Sequence, residues 1–336
     1  MGDATSISWT DATWNPIRGC SRVSDGCRHC YAEAVAARFS GPGQPYEGLA
    51  KIGVRTGHHP KWTGEVRFIA DHLADPLRWK KPRRIFVNSM SDLFHENLTN
   101  EQIAAVFAVM ASAPQHTFQV LTKRARRMRE WFEWADDLTP SALYGYAEHA
   151  IPTDDDQGRM LGFLRLRKAW PLPNVWLGVS VENQETAAAR IPELLATPAA
   201  VRFLSCEPLL GPIDMPTVHV FGPNPTWSGP RIHWAIAGCE SGPGARSCNV
   251  EWLRSLRDQC ADAGVAFFLK QARAVPACIP APDDADPSTV TTLTESGQRW
   301  IDIVCAGDGS RAKARGVIEL PYLDGKQHAA FPEIQS

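Results

Sequence analysis

No run in this 336-residue chain approaches the roughly 20 apolar residues that a membrane-spanning helix requires. The N-terminus also lacks the basic-then-apolar layout of a secretory signal. These two absences set aside a membrane protein and point to the cytoplasm. Charge of one sign is missing too: 35 Lys and Arg stand against 37 Asp and Glu, a net −2, which argues neither for nor against a nucleic-acid partner. Internal repeats and coiled-coil heptads are absent. What is present is the apolar and charged balance of a globular protein, long enough for two ordinary domains or one large α/β barrel.

The charges are unevenly placed. Lys80, Lys81, Arg83 and Arg84 form one basic cluster, Lys123, Arg124, Arg126, Arg127 and Arg129 a second, and Arg165, Arg167 and Lys168 a third. Such clusters make either a phosphate-binding face or a solvated helix surface.

Short runs rich in β-branched and aromatic residues recur at 83–89, 116–122, 174–181, 201–207, 233–240 and 265–271, with an earlier one around "ISWT". Helix-like segments at 100–113, 182–197 and 249–264 separate them. This alternation predicts parallel strands with helical crossovers, as a doubly wound sheet or a barrel. A partial barrel is favoured because nearly every strand ends in polar residues: Ser89 with Asp92, Thr122 with Lys123, Ser180 with Glu182, Glu207, Glu240, and Lys270 with Gln271. Parallel barrels gather their sites at such strand ends. The barrel is expected over 1–271, with insertions near 136–170 and 215–232. Residues 272–336 read as a linker and a small C-terminal β extension.

Nine cysteines scattered through a chain of this length do not make a disulfide scaffold. Three of them, Cys20, Cys27 and Cys30, crowd into "GCSRVSDGCRHCYAEA" as Cys-x6-Cys-x2-Cys. A structural zinc site wants four closed ligands, and the fourth here would be His29 or a distant residue. A [4Fe-4S] cluster wants a thiolate for each iron, so three cysteines leave one iron open to chelate a small molecule such as S-adenosylmethionine. The spacing alone leaves both readings standing.

The long stretches "TWNPIRGC…GCRHCYAE", "PRRIFVNSMSDLFHE", "HTFQVLTKR", "LPNVWLGVSVENQ", "RFLSCEPLLGPI" and "GVAFFLKQ" resemble the radical SAM superfamily, and within it a phage- and prophage-associated family of three-cysteine proteins. The resemblance implies an α/β fold, a partial (β/α)6-type TIM barrel, with Cys20, Cys27 and Cys30 ligating three irons of a [4Fe-4S] cluster that binds S-adenosylmethionine. It also implies a redox partner, an electron donor such as flavodoxin or ferredoxin. The cysteine loop is three residues longer than the superfamily's usual Cys-x3-Cys-x2-Cys. Gly238-Cys239 stands where the family shows a glycine pair, and "KQAR" where it shows Lys-Gln-Trp-Gly.

By the same resemblance Ser89, Ser91 and Asp92 are candidates to hold the methionyl group, and Ser180 and Glu182 the ribose or carboxylate. The plain alternative for each is turn or helix capping. Lys123, Glu207 and Lys270 are candidate catalytic or substrate-contacting groups at strand ends, Glu207 in extended backbone because Pro208 follows; Glu240 is a possible partner of Lys270. Arg124, Arg126 and Arg127 are candidates to face a polyanion, and Trp227 to stack on a base. His29 and His95 read as packed or solvent-exposed.

Together these features predict a radical SAM enzyme acting on a nucleic-acid base. By family analogy the reaction is isomerisation of an aminoacyl-modified thymidine in phage DNA hypermodification. Alternatives are a lyase or repair activity, an RNA- or protein-modifying enzyme, and a non-catalytic zinc-stabilised binding protein.

Overall fold

The computed structural model of the chain describes residues 5–51, 60–160, 170–215, 231–241, 244–273, 275–280, 283–284, 287, 290–292, 299–305 and 317–333. The main sheet has eight strands: β1 (Ala12–Trp14), β2 (Arg84–Val87), β3 (Thr117–Thr122), β4 (Val175–Ser180), β5 (Val201–Cys206), β6 (Trp234–Gly238), β7 (Ala266–Arg273) and β8 (Val317–Glu319). Their order across the sheet is their order along the chain. A doubly wound sheet reverses at a switch point, and this order never reverses. The fold is therefore mixed α/β with the singly wound connectivity of barrel-like proteins.

The helices used below are α1 (Tyr31–Arg38), α2 (Asn100–Ala111), α3 (Ala125–Ala135), α4 (Pro140–Ala150), α5 (Gln184–Ala196) and α6 (Val250–Asp262). By its internal contacts the chain divides into two units, Met1–Ser180 with Ala189–Arg202 and Val181–Ala188 with Phe203–Ser336.

In the first unit β1 to β4 pair in parallel, with Trp14 opposite Val87, Val87 opposite Val120 and Val120 opposite Leu177. The turn around "ISWT" is not a strand. Thr10 closes it back onto Ile7, and Trp9 packs against Phe86 at 4.7 Å, so the ladder starts at Ala12. Thr99 and Gln102 form a reciprocal capping box that starts α2, satisfying two otherwise orphaned backbone donors. Nearly all of α2 is buried because α4 covers it. The stretch read as an insertion thus contributes a packed helix.

Arg126, Arg127 and Arg129 belong to α3, with Arg124 at its N-cap; the helix buries Ala125, Met128, Trp131, Phe132 and Ala135 on one face, and Trp131 stacks on Phe107 at 4.5 Å.

In the second unit β6 pairs in parallel with β5 and β7, and β8 adds antiparallel to β7. Asn249 caps α6, whose Leu253, Leu256 and Cys260 face inward. Val275–Pro280, within the segment read as a linker, is a strand paired with Arg299–Cys305 in a smaller sheet. Val317–Glu319, read as part of the appendage, joins the main sheet instead.

Candidate metal-cluster site

The cysteine loop leaves β1 and is held at several points. Gly19 bridges Ser91 in the turn after β2. Its φ is +91°, and a Cβ there would stand 2.2 Å from the Glu65 carbonyl oxygen, so only glycine admits the close approach. Asn15, buried, accepts from the Met90 amide at 3.0 Å and the Ser89 hydroxyl at 3.2 Å. The Ser91 hydroxyl donates to the Ile17 carbonyl at 2.9 Å. The Ser89 and Ser91 hydroxyls therefore brace the loop through the hydrogen each donates.

Cys27 closes a 3-10 turn, its amide donating to the Ser24 carbonyl at 3.0 Å, and Cys30 caps α1. The first turn of α1 carries Glu33, fully buried, which accepts from the Arg22 guanidinium and from the Trp62 amide at 3.0 Å. Arg22 lies between Cys20 and Cys27, so this ion pair ties the middle of the loop to the helix that follows it. Sequence reasoning gave neither residue a role. The signal was a lone acid on an alanine face, with Ala32, Ala36 and Ala37 buried around it.

Behind Cys20 stands Arg124. Its Nη1 lies 3.8 Å from Cys20 Sγ and 3.1 Å from Asp92 Oδ2, its Nε donates to Glu96 at 2.8 Å, and its Nη2 donates to the Ser21 hydroxyl at 2.7 Å and carbonyl at 3.2 Å. Its side chain is only 4% exposed. Burial disfavours its charge, but Asp92, Cys20 and Glu96 outweigh that and hold the guanidinium above its usual range.

The expectation that Arg124 faces a polyanion is corrected: a short turn after β3 swings it inward against two carboxylates. Asp92 is equally committed, accepting from the Thr122 hydroxyl at 2.7 Å, the Phe94 amide at 3.0 Å and the Lys123 amide at 3.2 Å. His95 lies beside this network, its ring 2.9 Å from the Ser21 hydroxyl.

The three thiols are half-buried and without disulfides. Burial pushes Cys20 up to about 12, with Asp92 adding to the rise, Arg124 opposing it, and Cys30 and Cys27 adding further. Burial likewise raises Cys30, with Glu33 and Cys27 contributing and two backbone amides opposing. Neighbouring thiols thus add to the cost of ionising Cys20 and Cys30, and a bound cation would reverse that balance. No group of three or more His, Cys, Asp or Glu side chains is gathered for a single metal ion among the described residues.

The remaining predicted residues fall elsewhere. Arg126 is exposed and paired with Glu130 four residues on, as Arg129 is with Glu133, so α3 neutralises part of its own charge, and Arg127 donates to Asn100 of α2. Arg165, Arg167, Lys168 and Trp227 lie outside the described residues. Ser180 is buried at the end of β4, where its carbonyl accepts from Arg190 at 2.8 Å.

In the second unit Glu182 is buried, with its amide donating to Thr186 at 2.8 Å. Glu207 pairs with Lys270 at 2.7 Å. Lys270 does not pair with Glu240, which is taken by Arg246 through Nη2–Oε1 at 2.6 Å and Nε–Oε2 at 3.0 Å.

A family model described as "Protein of unknown function (DUF5131)" matches residues 4–332. No curated protein and no solved structure matches the chain.

Proposed function

The chain belongs to the DUF5131 family, and from its own side chains we propose that it is a radical SAM enzyme in which Cys20, Cys27 and Cys30 hold a [4Fe-4S] cluster. The observation that carries this reading is the loop itself: three half-buried thiols in mutual electrostatic reach, on a backbone pinned by Gly19, Arg22 and Arg124. A zinc ion draws four ligands to about 2.0–2.3 Å. A cubane with three cysteine ligands keeps one iron open for a small molecule, and it is the family resemblance that favours it over zinc. When bound, such a cluster with S-adenosylmethionine supplies a 5′-deoxyadenosyl radical that removes hydrogen from unactivated C–H bonds.

The chain's own contribution is positioning. Arg124 fixes Cys20 and Ser21 from behind, Glu33 fixes Arg22 and α1, and Asn15 with Ser91 sets the turn that the loop rests on. Asp92 serves Arg124 and Thr122, and holds that network in place of a methionyl group.

For the substrate we propose a nucleic-acid base bearing an aminoacyl group, with isomerisation of an aminoacyl-modified thymidine as the reaction. The family resemblance supports the base. The same resemblance supports the aminoacyl substituent.

The test is anaerobic reconstitution with iron and sulfide. About four irons per chain, absorbance that bleaches with dithionite, and loss of both in a Cys20/Cys27/Cys30→Ala variant are expected. One tightly bound zinc without labile sulfide would overturn the reading. The reconstituted enzyme is then expected to convert DNA carrying the aminoacyl-thymidine in an S-adenosylmethionine-dependent reaction.

A further inference from the structure

Cys239 and Cys248, both free, stand at the two ends of the connection between β6 and α6. Cys239 follows the last residue of β6, and Cys248 precedes Asn249, the cap of α6. Their side chains are hydrogen-bonded to each other. A clamp just inside the pair draws the two ends together: buried Glu240 accepts from the Arg246 amide at 2.8 Å, from its Nε at 3.0 Å and from its Nη2 at 2.6 Å. Cys239 is also held from the neighbouring strand. Its amide donates to the Gln271 carbonyl at 3.0 Å, and its own carbonyl accepts from Gln271 Nε2 at 2.7 Å. Cys239 is 2% exposed and Cys248 half-buried, so one thiol of the pair meets solvent and the other does not. Cys206 and Cys260, by contrast, are both fully buried and expose no sulfur to an oxidant. A core thiol is a small hydrophobe; two thiols in contact, one of them accessible, are what thiol–disulfide exchange needs.

We infer that Cys239 and Cys248 form a modification site, a dithiol that a disulfide oxidant such as oxidised glutathione converts to an internal disulfide. The Cys248 thiolate attacks one sulfur of the oxidant, forms a mixed disulfide and expels one glutathione thiolate. The Cys239 thiolate then attacks the Cys248 sulfur, forms the internal bond and expels the second. The protein pair gives up two electrons and two protons, and the oxidant leaves as two reduced thiols. Contact with Cys239, then burial, holds the Cys248 thiol above its ordinary range, so the pair rests protonated and reduced until an oxidant is supplied. The bond ties the end of β6 to the start of α6, on the strand-end side where parallel α/β folds place their sites. Cys239 is this chain's own departure, since Gly238-Cys239 stands where the resembled family shows a glycine pair. The exchange involves no iron, and so stands or falls apart from the cluster.

The experiment uses the full-length protein, reduced, freed of reductant and equilibrated with set ratios of oxidised to reduced glutathione. It is then alkylated in denaturant and digested with trypsin. Trypsin cuts after Arg231, Arg246 and Arg254, hence between the two cysteines, and fragments 232–246 and 247–254 stay joined only through the disulfide. The joined fragment is expected in excess oxidised glutathione and is expected to separate on treatment with dithiothreitol, while Cys206 and Cys260 remain reduced throughout. Cys239→Ser, or Cys239→Ala where the serine variant does not fold, is expected to stop at the mixed disulfide, with glutathione on Cys248. Cys248→Ser is expected to leave Cys239 reduced.

Wild-type fragments 232–246 and 247–254 that both emerge alkylated would overturn the inference. So would glutathione held stably on Cys248 in wild type, or Cys239 joined to any cysteine other than Cys248.

Discussion

Cys20, Cys27 and Cys30 in the first unit and Cys206 and Cys260 in the second are the same residue under different conditions. The two second-unit cysteines are closed off, Cys206 at the end of β5 and Cys260 on the inner face of α6, both fully buried. Burial is the cause that pushes Cys260 up to about 12, and it is the leading cause at Cys206, with Cys260 and Glu182 adding to it. Cys20 rises as far, but is only half-buried by the surface it shows; a carboxylate and two further thiols contribute to its shift, and an arginine opposes it. A core thiol is a small hydrophobe satisfied by packing. Cys20 and Cys30 are raised first by burial and further by neighbouring thiols and carboxylates, and a bound cation would favour their ionised forms. The residue type alone does not mark a site; the company it keeps does.

The sharpest way to break this comparison is to remove each set. Replacing Cys20, Cys27 and Cys30 with Ala is expected to abolish iron and sulfide uptake while the cooperative unfolding transition survives, because half-exposed side chains contribute little packing. Cys260→Ala is expected to keep its iron and to lose about 1–2 kcal/mol of stability in urea titration. Iron retained in the triple variant would place the metal elsewhere.

Next in size is Arg124. Its removal as Arg124→Gln leaves Asp92 buried without its counter-charge, and breaking such a pair costs about 3–5 kcal/mol. Lys270→Met leaves Glu207, which is part-buried but better solvated than Asp92, and is expected to cost less, about 1–3 kcal/mol. Equal losses in denaturant titrations would mean that Arg124 is no more structural than Lys270.

Two glycines offer a controlled pair within the first unit. Gly19 and Gly64 share a φ of +91°, but a Cβ at Gly64 meets nothing within 4 Å while one at Gly19 meets the Glu65 carbonyl. Gly64→Ala therefore carries only the backbone penalty, about 1–2 kcal/mol. Gly19→Ala adds about 1–3 kcal/mol for the overlap, and is also expected to lower iron uptake. Matching losses would show that the loop backbone yields at Gly19.

Much of the fold was legible because its period was regular. The segments at 83–89, 116–122, 174–181, 201–207, 233–240 and 265–271 all contain observed strands, since fully buried parallel strands read as short β-branched runs bounded by turn residues. The helix-like segments 100–113, 182–197 and 249–264 contain observed helices, and Thr99 and Asn249 cap the first and the third.

Charge was the less legible property. In "TKRARRMRE" five cations look alike, and only the turn after β3 decides that Arg124 goes inward while Arg126 stays out. Pairings such as Glu207 with Lys270, or Glu33 with Arg22, join residues remote in sequence or embedded in a loop, and no local pattern encodes them. The pairing of β8 escapes the sequence for the same reason: its partner β7 lies across some forty intervening residues, and edge pairing leaves no period in the chain.

The smallest expected effect compares the two units by pH. In the second unit His328 packs its ring against Phe267 at 5.7 Å, with its Nε2 buried and making no hydrogen bond. Burial, reinforced by Arg257 and Lys326 and opposed by Asp324, lowers its pKa to about 4. The unfolded chain therefore takes up the proton first, near the ordinary imidazole value of 6.5. This contribution to stability is present above pH 6.5, declines as pH falls toward about 4, and changes no further below that.

His95, beside the cysteine loop, is lowered in the same direction by burial and by Arg124, so wild type loses stability from both units on acidification. His328→Gln removes one of the two. Urea midpoints measured at pH 7.5 and pH 4.5 are expected to differ less in the variant than in wild type, and His95→Gln is expected to flatten the profile independently because the two residues lie in different units. An unchanged difference in His328→Gln would mean that the ring is solvated in the folded chain and that the acid sensitivity belongs to the cysteine-bearing unit alone.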